Sequence, residues 1–159
     1  MLEVIVLAAG RGTRMRSSLP KVLHTLAGKP MIQHVLDTAR GVAAAKLHVV
    51  VGHGADAVRK VIAARDVTTY VQPEQLGTGH AALAAAPHCQ SESTVIVLFG
   101  DVPLLSSATL SRVIKAAESG PAVLRHPWIT RRGTGELFET AQALLRGWLS
   151  KKMLMKKSS

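Results

Sequence analysis

V-I-V-L-A-A-G-R-G-T-R-M, Val4 to Met15, carries the strongest architectural signal in this 159-residue chain. Its first four residues are apolar without a break, as a strand covered on both faces requires. They run straight through Leu7, Ala8 and Ala9 to Gly10 and Gly12, so the strand empties into a loop whose backbone a ligand can approach closely. Successive N–H groups in such a loop can converge on phosphate oxygens. Arg14 and Lys21 would add fixed positive charge beside a triphosphate. The spacing disfavours two familiar alternatives, since G-R-G-T-R-M is neither the G-x-G-x-x-G of dehydrogenases nor the G-K-[ST] of the common phosphate loop. Taken alone, a bare G-x-G reads more simply as an ordinary turn with solvated basic neighbours.

Working outward, the first 120 residues alternate strand-like and helix-like segments, the pattern of a parallel sheet wrapped by helices. Leu47–Val51, Thr68–Val71 and Thr94–Phe99 read as further strands. Each is nearly continuously apolar, which predicts cover on both faces. Pro30 starts a helix where its missing N–H costs nothing, with Met31, Ile32, Val35, Leu36 and Ala39 as the buried stripe. Ala55–Ala64, His80–Ala86 and Ala108–Glu118 read as three more helices, the last with Ser107 as N-cap and Gly120 as stop. The expected architecture is α/β: a doubly wound, mostly parallel, Rossmann-like sheet whose ligands bind beyond the carboxyl ends of its strands.

Composition narrows the function classes. Although 47% of the residues are hydrophobic, no apolar run approaches the roughly 20 residues needed to cross a bilayer. The start, M-L-E-V-I-V-L, has neither the basic segment nor the cleavage site of a signal peptide, so a cytoplasmic protein without a membrane partner is expected. A single cysteine, Cys89, cannot form an internal disulfide and is assigned a plain structural role. His24, His34, His48, His53, His80, His88 and His126 show no metal-ligand spacing and are assigned structural or surface roles. The net charge of +10 would ordinarily point to an anionic macromolecule. Its distribution argues otherwise: Lys and Arg outnumber Asp and Glu by 12 to 8 in residues 1–120 and by 8 to 2 in residues 121–159. No nucleic-acid-binding motif accompanies that basic end, so no nucleic-acid partner is expected.

L-A-A-G-R-G-T-R-M followed by L-P-K, Leu7 to Lys21, resembles the signature of the nucleotidyltransferases that join a sugar 1-phosphate to a nucleotide. Its continuation P-K-V-L-H-T-L-A-G-K-P-M-I-Q-H-V, Pro20 to Val35, is similar to the uridylyltransferase domains of the bifunctional bacterial enzymes that make UDP-N-acetylglucosamine. V-Q-P-E-Q-L-G-T-G-H-A, Val71 to Ala81, and L-F-G-D-V-P-L, Leu98 to Leu104, match the same family. The resemblance implies UTP and N-acetylglucosamine 1-phosphate as partners and Mg²⁺ as cofactor. Leu7, Ala8, Ala9, Gly10 and Gly12 would then surround the nucleotide, and Arg14 and Lys21 would serve catalysis by neutralising phosphate charge. Gln72 suits a base reader because its amide both donates and accepts. Gly77 and Thr78 would close the loop over the base, with Gln75 less firmly placed. Asp101 would hold the metal, which takes one or two carboxylates plus phosphate oxygens and water. Alternatives are another sugar-1-phosphate nucleotidyltransferase or a non-catalytic nucleotide-binding fragment.

The resemblance covers residues 1–124 and stops, leaving the expected domain incomplete and residues 125–159 as a basic, non-homologous tail. Both tryptophans, Trp128 and Trp148, lie in it. The family's D-N-P-x-G-Y-G-R-I is missing from the written sequence, yet one shifted reading frame restores it: Trp128-Ile129 must become Asp, and Ile129 to Leu137 permit N-P-T-G-Y-G-R-I. A frameshift near Leu124–Arg125 is therefore expected, with a poorly packed tail, a helix at Glu136–Trp148 at best, and little or no turnover. The family's oligomer is not expected without its C-terminal domain.

Overall fold

The computed structural model describes residues 1–10, 12 and 15–117. The chain divides into two units, Met1–Ala122 and Val123–Ser159, and every described residue lies in the first. Arg11, Thr13, Arg14, Glu118, Gly120 and the helix expected at Glu136–Trp148 fall outside the described residues.

Strands β1 (Leu2–Ala8), β2 (Thr25–Leu26), β3 (Lys29–Pro30), β4 (Lys46–Val51), β5 (Val67–Val71) and β6 (Thr94–Phe99) alternate with helices α1 (Met31–Arg40), α2 (Ala55–Ile62), α3 (Thr78–Ala85) and α4 (Ser107–Ala117). Four strands form one sheet in the order β5-β4-β1-β6, and all its pairings are parallel. The chain builds outward from β1 through β4 to β5, then returns to place β6 on the other side. That reversal opens a crevice at the carboxyl ends of β1 and β6, where ligands bind in sheets of this kind.

Register separates the two faces. Val4 and Val6 are level with Leu47 and Val49 on one side and with Ile96 and Leu98 on the other. This face packs against Ile32, Val35, Leu36 and Ala39 of α1, Val58 and Ile62 of α2, and Leu110 of α4. Each large aliphatic side chain so buried contributes about 1.5–3 kcal/mol. The other face carries Ile5, Leu7, His48 and Val50, all buried. There α3, with buried Ala81, Ala82 and Ala85, packs on β1, β4 and β5. The doubly wound reading of the sequence is thus correct.

Three details correct the sequence reading. Among the described residues, only β1 and β4 are covered on both faces. At β6, Val97 and Phe99 are 42% and 38% exposed while Ile96 and Leu98 are buried, because α3 lies over the middle of the sheet. At β5, Thr68 and Val71 are likewise exposed. The N-cap of α4 is Ser106, not Ser107: Ser106 Oγ accepts the N–H of Thr109 at 3.2 Å, and Ser107 instead donates to the Thr38 carbonyl at 3.3 Å, tying α4 to α1. Finally, Pro30 ends a two-stranded antiparallel hairpin, β2–β3, and caps α1 from outside rather than opening it.

Candidate functional site

Three segments far apart in sequence meet at the carboxyl end of the sheet. Leu7, Ala8, Ala9 and Gly10 from β1 and its loop, Phe99 at the end of β6 with Asp101 just beyond it, and Gln72, Gln75, Gly77 and Thr78 from the β5–α3 connection and the start of α3 line one cleft of about 310 Å³. Lys21, Val22 and Ala81 complete its wall. Backbone pairing that runs past the strand ends sets these positions. Gly100 N–H donates to Leu7 O at 2.9 Å, and Gln72 N–H donates to Val51 O at 2.8 Å. Asp101 and Gln72 are thereby fixed relative to the β1 loop before any side chain acts.

Of the residues singled out in the sequence, ten line the cleft: Leu7, Ala8, Ala9, Gly10, Lys21, Gln72, Gln75, Gly77, Thr78 and Asp101. Arg14 is outside the described residues, and Gly12 does not line the cleft but abuts Lys21, which does. At φ +61°, a Cβ on Gly12 would come within 2.8 Å of Lys21 Cβ, so only glycine lets the loop fold back on Lys21. Gly52, which the sequence reading passed over, does the same for the β1 loop. A Cβ there would meet Ala9 O at 2.7 Å. On the other side of the cleft, Gln75 Nε2 donates to Ala9 O at 2.7 Å, bridging the two loops.

Among the described residues lining the cleft, charge is concentrated in one pair. Lys21 Nζ donates to Asp101 Oδ2 at 2.6 Å, with both side chains partly exposed. Lys21 is held there by the short 3-10 turn Lys21–Leu23, which buries Val22 and Leu23. A carboxylate at the mouth of a loop rich in N–H groups suits a hard divalent cation that completes its shell with phosphate oxygens and water. The ammonium of Lys21 already neutralises Asp101, so a cation would compete with it or share it. Gln72 is 4% exposed. Its Nε2 lies 3.3 Å from Gly77 O and 3.0 Å from His80 Nδ1. The sequence assigns His80 a structural or surface role; its ring lies against the amide of Gln72, which lines the cleft.

A second polar cluster lies toward the other end of the sheet. Glu3 and His48, 0% and 2% exposed, pair at 2.7 Å inside the face covered by α3. His48 Nδ1 lies 3.0 Å from Tyr70 Oη, and Gln90 N–H donates to Glu3 Oε1 at 3.1 Å. Burial pushes the Glu3 carboxyl up, but the Gln90 N–H, the His48 ring and the Cys89 thiol together outweigh it and leave the pKa lowered. Burial, and then Glu3 itself, pushes the Cys89 thiol up to about 12. Glu3, His48 and Cys89 offer ligand atoms within 4.8 Å of one another. With the thiol held protonated and both His48 nitrogens engaged, the cluster reads as internal hydrogen-bonded packing. No described helix is long and apolar enough to cross a membrane.

The sequence model of the MobA-like NTP transferase domain family matches residues 4–150. The bifunctional protein GlmU of Saccharophagus degradans is 51% identical over 141 residues, covering 88% of this chain and 31% of that protein. GlmU of Cellvibrio japonicus is 56% identical over 114 residues, 72% of this chain and 25% of that protein. The chain therefore spans less than a third of the length of these relatives. Among solved structures, a manganese complex of a Mycobacterium tuberculosis protein aligns with a TM-score of 0.63 at 27% identity, over 74% of this chain and 60% of that one.

Proposed function

Because the chain belongs to the MobA-like NTP transferase domain family, we propose that its cleft binds UTP for uridylyl transfer to N-acetylglucosamine 1-phosphate. An oxygen of the sugar phosphate attacks the α-phosphorus in line; a P–O bond forms as the bond to the departing pyrophosphate breaks. The convergence of the β1 loop, Lys21, Gln72 to Thr78 and Asp101 on one cleft carries this reading. Backbone N–H groups of Ala8 to Gly10 receive phosphate oxygens, and Gln72 faces the base. Lys21, joined by Arg14, stabilises the charge that spreads over the phosphates. Positioning and electrostatics suffice for such chemistry without a covalent nucleophile. Asp101 would hold the divalent cation, Mg²⁺ in our reading, which supplies further charge neutralisation when bound.

UTP titrations with and without Mg²⁺ test this assignment. In the unaltered chain Mg²⁺ should tighten UTP binding, whereas Asp101→Ala should remove most of that gain. A gain equally large in Asp101→Ala would overturn the role of Asp101.

We also propose that the tail beyond residue 124 is read in a shifted frame. What supports this is that one alternative frame forces Asp at Trp128-Ile129 and permits N-P-T-G-Y-G-R-I from Ile129 to Leu137. The family match itself continues to residue 150, so the boundary rests on the motifs alone. Sequencing the locus decides it: one unbroken frame with no homologous frame beneath it would refute the proposal.

A further inference from the structure

Glutamine is a two-faced reader of a base. Rotated by half a turn about its last bond, the same amide offers either an acceptor or a donor. A site that depends on Gln72 to choose a base therefore needs something else to fix which end faces the cleft. Gly77 O and His80 Nδ1 supply it. The Gly77 carbonyl can only accept, so the atom 3.3 Å from it must be Nε2. The second N–H of that same nitrogen is directed at His80 Nδ1, 3.0 Å away. Both donors of the amide are then used, and Oε1 is what Gln72 has to offer the cleft it lines.

Resting on the nucleotide-site reading above, we infer that His80 is a positioning residue that sets base selection by locking the Gln72 amide with its acceptor toward the base. A ring N–H can donate to that acceptor. Uracil and thymine carry one at N3; cytosine presents a lone pair there and meets Oε1 with repulsion. His80 performs this from the first turn of α3, whose start at Thr78 follows Gly77 directly. One short segment therefore holds both restraints on the amide. The lock requires Nδ1 to be the unprotonated ring nitrogen.

The test compares UTP and CTP binding, each with Mg²⁺, in the full chain, in His80→Phe and in His80→Asn. Phenylalanine keeps a ring of similar size but removes the acceptor; asparagine can return one through Oδ1. The unaltered chain should prefer UTP, His80→Phe should lose roughly tenfold of that preference, as expected for one hydrogen bond, and His80→Asn should recover part of it. A merely structural His80 would weaken both nucleotides alike and leave their ratio unchanged, which would overturn the inference. Retention of the full preference by a folded His80→Phe would do the same. If the unaltered chain bound neither nucleotide, the nucleotide-site reading itself would fail, and the inference with it.

Discussion

At the scale of single residues, the most consequential are polar groups placed where apolar ones would be expected. Glu3 stands in a strand that is otherwise apolar, yet it is fully buried and paired with His48. Removing one partner leaves a buried polar atom of the other without its hydrogen bond, which costs about 1–3 kcal/mol. Glu3→Leu should therefore lower the melting temperature sharply. The lowered pKa of Glu3 also fixes a sign. Its contribution is complete above the ordinary carboxylate value near 4.5 and is lost as pH falls through the lower folded value. Acid unfolding should consequently begin at higher pH once His48 is replaced by Leu, as followed by circular dichroism across pH 2–6. Cys89, with its thiol pushed up to about 12, should resist iodoacetamide at pH 8 in the folded chain and react freely in denaturant, because the thiolate is the reactive species. Fast labelling of the folded chain would contradict that protonation state. None of this was legible in the sequence: Glu3 lay just outside the expected first strand, and an isolated His or Cys shows no partner until the strands are paired.

At the scale of elements, legibility followed continuity of pattern. The apolar runs Val4–Leu7 of β1 and Val49–Val51 of β4 and the periodic stripe of α1 could be read directly, since burial on both faces and a 3.6-residue repeat leave strong marks. The β2–β3 hairpin could not, because two-residue strands such as Thr25–Leu26 have no length over which to alternate. The connections that shape the site left weaker marks still. Gly52 is a single glycine after a strand, and its meaning lies in the Ala9 carbonyl opposite. Gly52→Ala should cost about 1–3 kcal/mol by overpacking and should weaken nucleotide binding by displacing the β1 loop; a thermal melt paired with a UTP titration measures both. An unchanged melt would show that the loop yields without cost. At the end of α1, Arg40 grips Asp66 through two hydrogen bonds of 2.7 and 3.1 Å. Hydrogen bonding and attraction to Arg40 lower the Asp66 pKa. All its partners are over a third exposed, so Arg40→Ala should cost no more than about 1 kcal/mol, and less in high salt.

At the scale of the whole molecule, sheet order explains why the sequence disclosed so much of the site. With β1 in the middle and β6 added on its far side, any loop that leaves the carboxyl ends of β1, β5 or β6 opens toward one region. A sequence reader who recognises the motifs after these strands therefore recovers most of the cleft wall. What escapes is the role of the supporting contacts: His80 against Gln72, Gln75 bridging to Ala9, and buried Val22 within the turn of Lys21. Those roles depend on side-chain directions across elements, which spacing alone does not give. Whether this convergence forms a nucleotide site is decided by an amide NMR titration of the chain with UTP and Mg²⁺. Shifts should concentrate at Ala8 to Gly10, Gln72 to Thr78 and Asp101 and leave Glu3, His48 and Cys89 unmoved. Saturating UTP that shifts none of the first set, or shifts chiefly the second, would contradict it.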